Sequence, residues 1–150
     1  MDNVTTRSAT SDDIDAILRM QEALAQESVI YGFAPDGRDD IERKLGVYCL
    51  IAEIDGRLMA YAAGSLHKND GRYDAVTQPS ERYLEVNDLY VVPVRRSHGI
   101  GGRLLDGLIE AARAEGVTQV HVYSATKDHD RMVRFYRAHG LEPWGVQMHG

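Results

Sequence analysis

Tyr83 to Leu105, YLEVNDLYVVPVRRSHGIGGRLL, decides the fold, because it carries a strand through a glycine-rich turn into a helix. The strand is predicted over 83–92. Ile100, Leu104, Leu105, Leu108, Ile109 and Ala112 then recur at helical spacing and predict a helix from Gly99 to Glu115. Between the two, Arg96-Ser97-His98-Gly99-Ile100-Gly101 reads R-x-x-G-x-G, and Gly102 follows. Missing side chains at Gly99 and Gly101 let the backbone approach a phosphate, while the first N–H groups of the helix and its dipole favour negative charge. Other phosphate loops fit worse. A G-x-G-x-x-G fingerprint would need glycine where Leu104 stands, and there is no G-K-[ST].

The rest of the chain builds outward from this unit. Val4 to Ala9 reads as a first strand, and Thr10-Ser11-Asp12-Asp13 as a capping box for a helix to about Glu27 with Ile14, Ile17, Leu18 and Leu24 inward. A second helix is predicted near Asp39–Leu45. Two strands, Val47–Ile54 and Arg57–Leu66, join through Asp55-Gly56, a pair that tolerates the positive φ of a tight hairpin turn. The polar stretch Lys68–Arg82 reads as a mobile loop bordering the site. A strand near Thr118–Ser124 and a helix near Asp128–His139, stopped by Gly140, complete the pattern. An early hairpin followed by alternating strands and helices implies an α/β (α+β) fold, a mixed sheet flanked by helices.

The length of 150 residues suits one domain, 1–150. Apolar runs such as Val47–Ala52 are too short to span a membrane, and the first residues lack the apolar core of a secretion signal. With Cys49 as the lone cysteine there is no internal disulfide, and a cytoplasmic protein is the default expectation. A net charge of −6 argues against a nucleic-acid surface. Its distribution is uneven: residues 1–94 hold 17 acids and 9 bases, a balance of −8, and residues 95–150 hold 6 and 8, a balance of +2. The basic part contains the glycine loop. Six histidines make no metal-ligand spacing, so no metal is expected.

The segment from Tyr83 to Leu105, together with Phe135-Tyr136-Arg137-Ala138-His139-Gly140-Leu141, resembles the GCN5-related N-acetyltransferases (GNAT family). Their R/Q-x-x-G-x-G/A loop binds the pyrophosphate of acetyl-coenzyme A, and their F-Y-x-x-x-G-F/L ending carries a tyrosine that protonates the departing thiolate. The resemblance implies a sheet split by the cofactor and runs from the first strand to the last helix. Family members usually end in two strands, whereas Leu141–Gly150 is broken by Pro143 and Gly145. The last strand is therefore expected to be short, or supplied by a partner chain in a homodimer.

The same resemblance assigns roles. Acetyl-CoA would be held by Arg96, Ser97, His98, Gly99, Ile100, Gly101, Gly102 and Arg103, by the backbone of Leu89, Tyr90 and Val91, and by Tyr136. His129 stands where the family often has a cofactor-binding asparagine. The N–H of Leu89 would face the thioester oxygen, and Tyr136 would be the acid. A substrate ammonium with pKa near ~10 needs a base. Glu85, eleven residues before Arg96, is the first candidate and Asp88 the second; Asn87, nine before Arg96, has no basic function. Regular alternation puts Asp88 on the face opposite Glu85, unless a bulge re-aims it. His121, between Val120 and Val122, could look into the site. Arg95, Arg131 and Arg134 are further phosphate candidates. Cys49, in an apolar strand, reads as inert core.

These residues imply acetyl transfer to a primary amine. Glu22, Glu27, Asp36, Asp39, Asp40 and Glu42 lie where similar proteins form a wall of the acceptor cleft, which favours a small cationic metabolite. A protein or peptide N-acetyltransferase, and a non-catalytic acyl-CoA-binding sensor, are the alternatives.

Overall fold

The computed structural model describes residues 3–150. Five strands, β1 (Val4–Ser8), β2 (Cys49–Ile54), β3 (Arg57–Lys68), β4 (Arg82–Val91) and β5 (Gln119–Val122), form one sheet in chain order. The first three junctions are antiparallel and β4 pairs with β5 in parallel. The helices are α1 (Ile14–Glu27), α2 (Arg38–Lys44), α3 (Ile100–Ala114) and α4 (His129–Ala138).

Local chemistry sets the joints. Thr10 Oγ1 accepts from the Asp12 N–H and Asp13 Oδ2 accepts from the Thr10 N–H at 2.7 Å, the reciprocal box that starts α1 through a short 3₁₀ turn. Asp13 also takes two bonds from Arg7, which docks β1 against this turn and holds the Asp13 carboxyl below the usual range. Asp55 and Gly56 adopt φ of 51° and 77°, as a primed hairpin turn requires. Asp128 caps α4 by accepting from the Arg131 N–H, and Gly140 at φ 88° ends it.

Each face of the sheet buries one apolar layer. Leu104, Leu105 and Leu108 of α3 are wholly buried against Ala60, Ala62, Leu84 and Val86. Ile14 and Ile17 of α1 and Ile41 of α2 cover Cys49, Ile51, Tyr61, Ala63 and Tyr90 on the other face. Each such aliphatic side chain contributes roughly 1.5–3 kcal/mol.

Two irregularities in β4 position the site. Ala63 pairs with Asp88 but Gly64 pairs with Val86, so Asn87 is an extra, unpaired residue in β4. This bulge shifts the alternation by one, and Asp88 falls on the same face as Glu85, not opposite it as a regular strand would have it. Gly64 faces the bulge at close quarters: a Cβ there would lie 2.9 Å from the Glu85 carbonyl oxygen. The second irregularity is a splay. β5 pairs only with Tyr83–Val86, and β4 continues to Val91 without it.

The loop between β3 and β4 is internally braced. Asn69, 4% exposed, donates to Asp74, Thr77 and Gln78 and accepts from the N–H groups of Gly71 and Tyr73. No strand forms in Leu141–Gly150, and β5 is the outer strand of the sheet.

Candidate active site

The glycine loop reaches α3 through two left-handed residues, Ser97 (φ 66°) and Gly99 (φ 80°). No side chain caps α3. The N–H groups of Ile100, Gly101 and Gly102 in its first turn therefore lack internal acceptors, and with the helix dipole they favour negative charge. Of the three glycines, Gly99 is the one whose conformation demands glycine. Gly101 faces Val91 and Phe135, and a Cβ there would sit 3.6 Å from Val91 Cγ2, an ordinary contact. At Gly102 a Cβ would lie 2.9 Å from the His139 ring. Arg131 reaches the loop from α4, with Nη2 at 3.4 Å from Ser97 Oγ, and His98 Nδ1 lies 2.8 Å from the Arg96 carbonyl. Arg103 turns away to the Val4 carbonyl, Arg96 turns inward, and His129 begins α4 in an exposed position.

Backbone directions in β4 follow from two hydrogen bonds. Val92 donates to the Met59 carbonyl across β3, while the Val91 carbonyl accepts from Arg96 on the opposite side. In an antiparallel strand the N–H and C=O of one residue point the same way, and the direction reverses at the next. The N–H groups of Val91 and Leu89 thus point away from β3, into the gap that β5 leaves. A strand-like ligand can pair there.

Glu85 stands beside this gap, 38% exposed at its side chain, with His67 Nε2 3.9 Å from its Oε2. Ser65 pairs with it on β3 and His121 on β5. Ser65 Oγ also meets the Asn87 amide and His67 Nε2, at 3.2 and 2.8 Å. His121 is buried, 2.7 Å from Thr77 Oγ1 and stacked on Tyr73, and burial lowers its pKa while Glu85 pulls it up. It is thereby held against the sheet.

Asp88 has a different environment. Lys44 Nζ sits 2.7 Å from its Oδ2 and 2.5 Å from Asp36 Oδ2, which also accepts from Gln21. Burial raises the Asp88 pKa and Lys44 opposes the rise; Lys44, opposed by burial but bonded to two carboxylates, stays cationic. The Asp88 carboxylate is thus engaged by Lys44 and is not left open to an acceptor amine, as that of Glu85 is. Lys44 and Gln21 had no signal in the sequence.

Tyr136 packs edge-on to Phe135, half-buried, and burial pushes its hydroxyl up to about 12. It is protonated at neutral pH and able to donate. The Cys49 thiol, buried, is pushed up to about 11 and is unreactive as a thiol. A cleft of about 620 Å³ opens between α2 and the bulge, lined among others by Asp36, Asp40, Arg43, Lys44, Ser65 and Asn87. The acidic wall is less negative than its sequence suggests, since Glu27 pairs with Arg96, Asp36 with Lys44 and Asp40 with Arg43.

Among the described residues no cluster of His, Cys, Asp and Glu could hold a metal ion, and no helix is long and apolar enough to cross a membrane. The sequence matches the model of the acetyltransferase (GNAT) family over residues 15–141. The fold is similar to that of a predicted acetyltransferase with acetyl-CoA from Clostridium acetobutylicum, at TM-score 0.73 and 17% identity, covering 98% of this chain and 95% of that one. It is also similar to an aminoglycoside acetyltransferase from an uncultured soil metagenomic sample in complex with trehalose (TM-score 0.71, 17% identity, 98% and 95% covered). Glucosamine-6-phosphate N-acetyltransferase from Arabidopsis thaliana gives TM-score 0.69 at 16% identity, with 99% and 97% covered.

Proposed function

The chain belongs to the acetyltransferase (GNAT) family and is an acetyl-CoA-dependent acetyltransferase; we propose that its acceptor is the primary amine of a small polar molecule, acetylated by direct transfer. One observation carries this reading: the exposed carboxylate of Glu85 stands on β4 four residues before Leu89, whose N–H points into the splay beside the first turn of α3.

Acetyl-CoA supplies an activated acetyl thioester. The residues fit it: the first turn of α3 and Gly99 would receive the pyrophosphate, and the Val91 N–H would pair with the pantetheine arm, leaving the Leu89 N–H for the thioester oxygen. Leu89 N–H stabilises the negative charge that develops on the thioester oxygen; a donor of this kind contributes about 2.7–4 kcal/mol. Glu85 takes the proton of the acceptor ammonium, and Tyr136 gives a proton to the departing sulfur. Because the Tyr136 phenol holds its proton more tightly than a thiol with a pKa of about 8.5, donation would accompany C–S cleavage, with the phenol regaining a proton from the acetylated nitrogen, which must lose one. Asp88, paired with Lys44, shapes the cleft and holds α2 to the bulge.

The cleft balances Asp36 and Asp40 against Lys44 and Arg43, which favours an acceptor with few charges and several hydrogen-bonding groups over a polycation. Amino sugars with a single amine suit this description, and one of the structurally similar enzymes is named for glucosamine 6-phosphate. The test is release of coenzyme A thiol over a panel of amino sugars, aminoglycosides, polyamines, amino acids and peptide N-termini. Turnover is expected with amino sugars. Turnover confined to peptides would overturn the acceptor reading, and coenzyme A binding without thiol release from any amine would favour an acyl-CoA sensor.

A further inference from the structure

Arg96 opens the glycine loop, yet all three nitrogens of its guanidinium are engaged inside the protein. Nε donates to the Val91 carbonyl at 2.8 Å, while Nη1 and Nη2 donate to the two carboxylate oxygens of Glu27 at 2.6 and 2.8 Å. The pairing is bidentate, the strongest geometry open to a guanidinium and a carboxylate. Tyr90 supports it from below: its hydroxyl donates to Glu27 Oε2 at 3.2 Å and its ring centroid lies 5.4 Å from the guanidinium carbon. The side chains of Arg96 and Glu27 are only 29% and 21% exposed, so solvent screens them weakly.

The location gives the pair its leverage. Glu27 is the last residue of α1. Just beyond it, Val29 accepts from the Lys127 N–H and Tyr31 donates to the Ala125 carbonyl, so the end of α1 is stitched to the loop between β5 and α4. On the other side Arg96 leads directly into Ser97 and Gly99, whose left-handed conformations must be held in place if the N–H groups of α3 are to face a ligand. A phosphate approaching the guanidinium would meet the Glu27 carboxylate on it.

We propose that Glu27 is a positioning residue for the coenzyme site: it clamps Arg96, and the clamp fixes the glycine loop so that backbone N–H groups, and not the Arg96 side chain, receive the pyrophosphate. This rests on the coenzyme site described above. The two roles for Arg96 predict opposite responses to loss of Glu27. As a direct phosphate ligand, Arg96 would be released by Glu27→Gln, and coenzyme A would bind as well or better. As one half of a clamp, it would lose its anchor and binding would weaken.

The experiment is calorimetric titration of coenzyme A into the wild-type chain, Glu27→Gln, Arg96→Gln and the double variant, at two salt concentrations, with a melting curve for each. Each single variant is expected to weaken Kd about tenfold, and the double variant about as much as either alone, because both remove the same contact. The salt dependence of Kd is expected to be the same in Arg96→Gln as in the wild type, because no phosphate contact is lost. Unchanged or tighter binding by Glu27→Gln, a hundredfold loss in the double variant, or a shallower salt dependence in Arg96→Gln would each overturn the clamp. Should the Gln variants not fold, Tyr90→Phe removes only the hydroxyl on Glu27; a few-fold loss is expected, and unchanged affinity would overturn it. A folded wild type that does not bind coenzyme A at all would remove the site itself, a failure distinct from that of the clamp.

Discussion

Lys44 Nζ lies 2.7 Å from Asp88 Oδ2 and ties α2 to the bulge of β4, forty-four residues away in sequence. Removing the cation, as in Lys44→Met, leaves a largely buried carboxylate without its partner. Breaking a fully buried pair costs roughly 3–5 kcal/mol, and because these side chains are 27% and 18% exposed the expected loss is smaller, about 2–3 kcal/mol. The pH dependence has a definite sign. Burial raises the Asp88 pKa in the folded protein, and without Lys44 it rises further, so the variant is least handicapped where Asp88 is protonated and loses stability as pH rises through that raised value. Thermal unfolding should show a gap between wild type and variant that is wide at neutral pH and narrows toward acid pH. A gap independent of pH would argue against this pairing.

The base assignment separates the two acids on β4. Glu85→Gln is expected to lower turnover by about 10²–10⁴-fold at pH values where the acceptor is an ammonium, with a smaller loss at high pH where the free amine is already present. Asp88→Asn should show no such rescue at high pH, since Lys44 occupies its carboxylate. Rates measured across pH for both variants decide between them, and recovery at high pH in Asp88→Asn alone would move the base to Asp88.

Tyr136→Phe keeps the ring packing on Phe135 and deletes only the hydroxyl. Turnover is expected to fall by about 10²-fold with coenzyme A affinity unchanged. Because burial pushes this hydroxyl up to about 12, the group stays protonated as pH rises from 6 to about 10, and the wild-type rate should show no alkaline decline traceable to Tyr136. Equal turnover in the two proteins would remove Tyr136 from the reaction.

Two glycines of the glycine loop should respond differently to alanine. Gly99, at φ 80° with open space around it, would force a side chain into the left-handed region at a cost of about 1–2 kcal/mol and weaken coenzyme A binding. Gly101→Ala meets only ordinary contacts with Val91 and Phe135, so its stability and affinity should be close to those of the wild type. Melting curves and coenzyme A titrations of both variants are the check; a larger loss at 101 than at 99 would reverse the assignment of which glycine the loop needs.

The sequence by itself determined the order of elements and the glycine loop, because these rest on contacts between neighbours in the chain. Thr10 with Asp13, Asp55 with Gly56, Asp128 at the start of α4 and the apolar stripe from Ile100 to Ala112 each act within a few residues, and each is found as expected. What only the tertiary structure decided lies across long separations. The bulge at Asn87 depends on how β4 meets β3, and a shift of one residue exchanges the faces of a strand, so the side on which Asp88 stands could not be read from alternation. Arg96 read as a phosphate ligand and Glu27 as an acceptor-site acid; folding brings the two charges, sixty-nine residues apart, to 2.6 Å in a partly dry pocket, where a bidentate ion pair satisfies both.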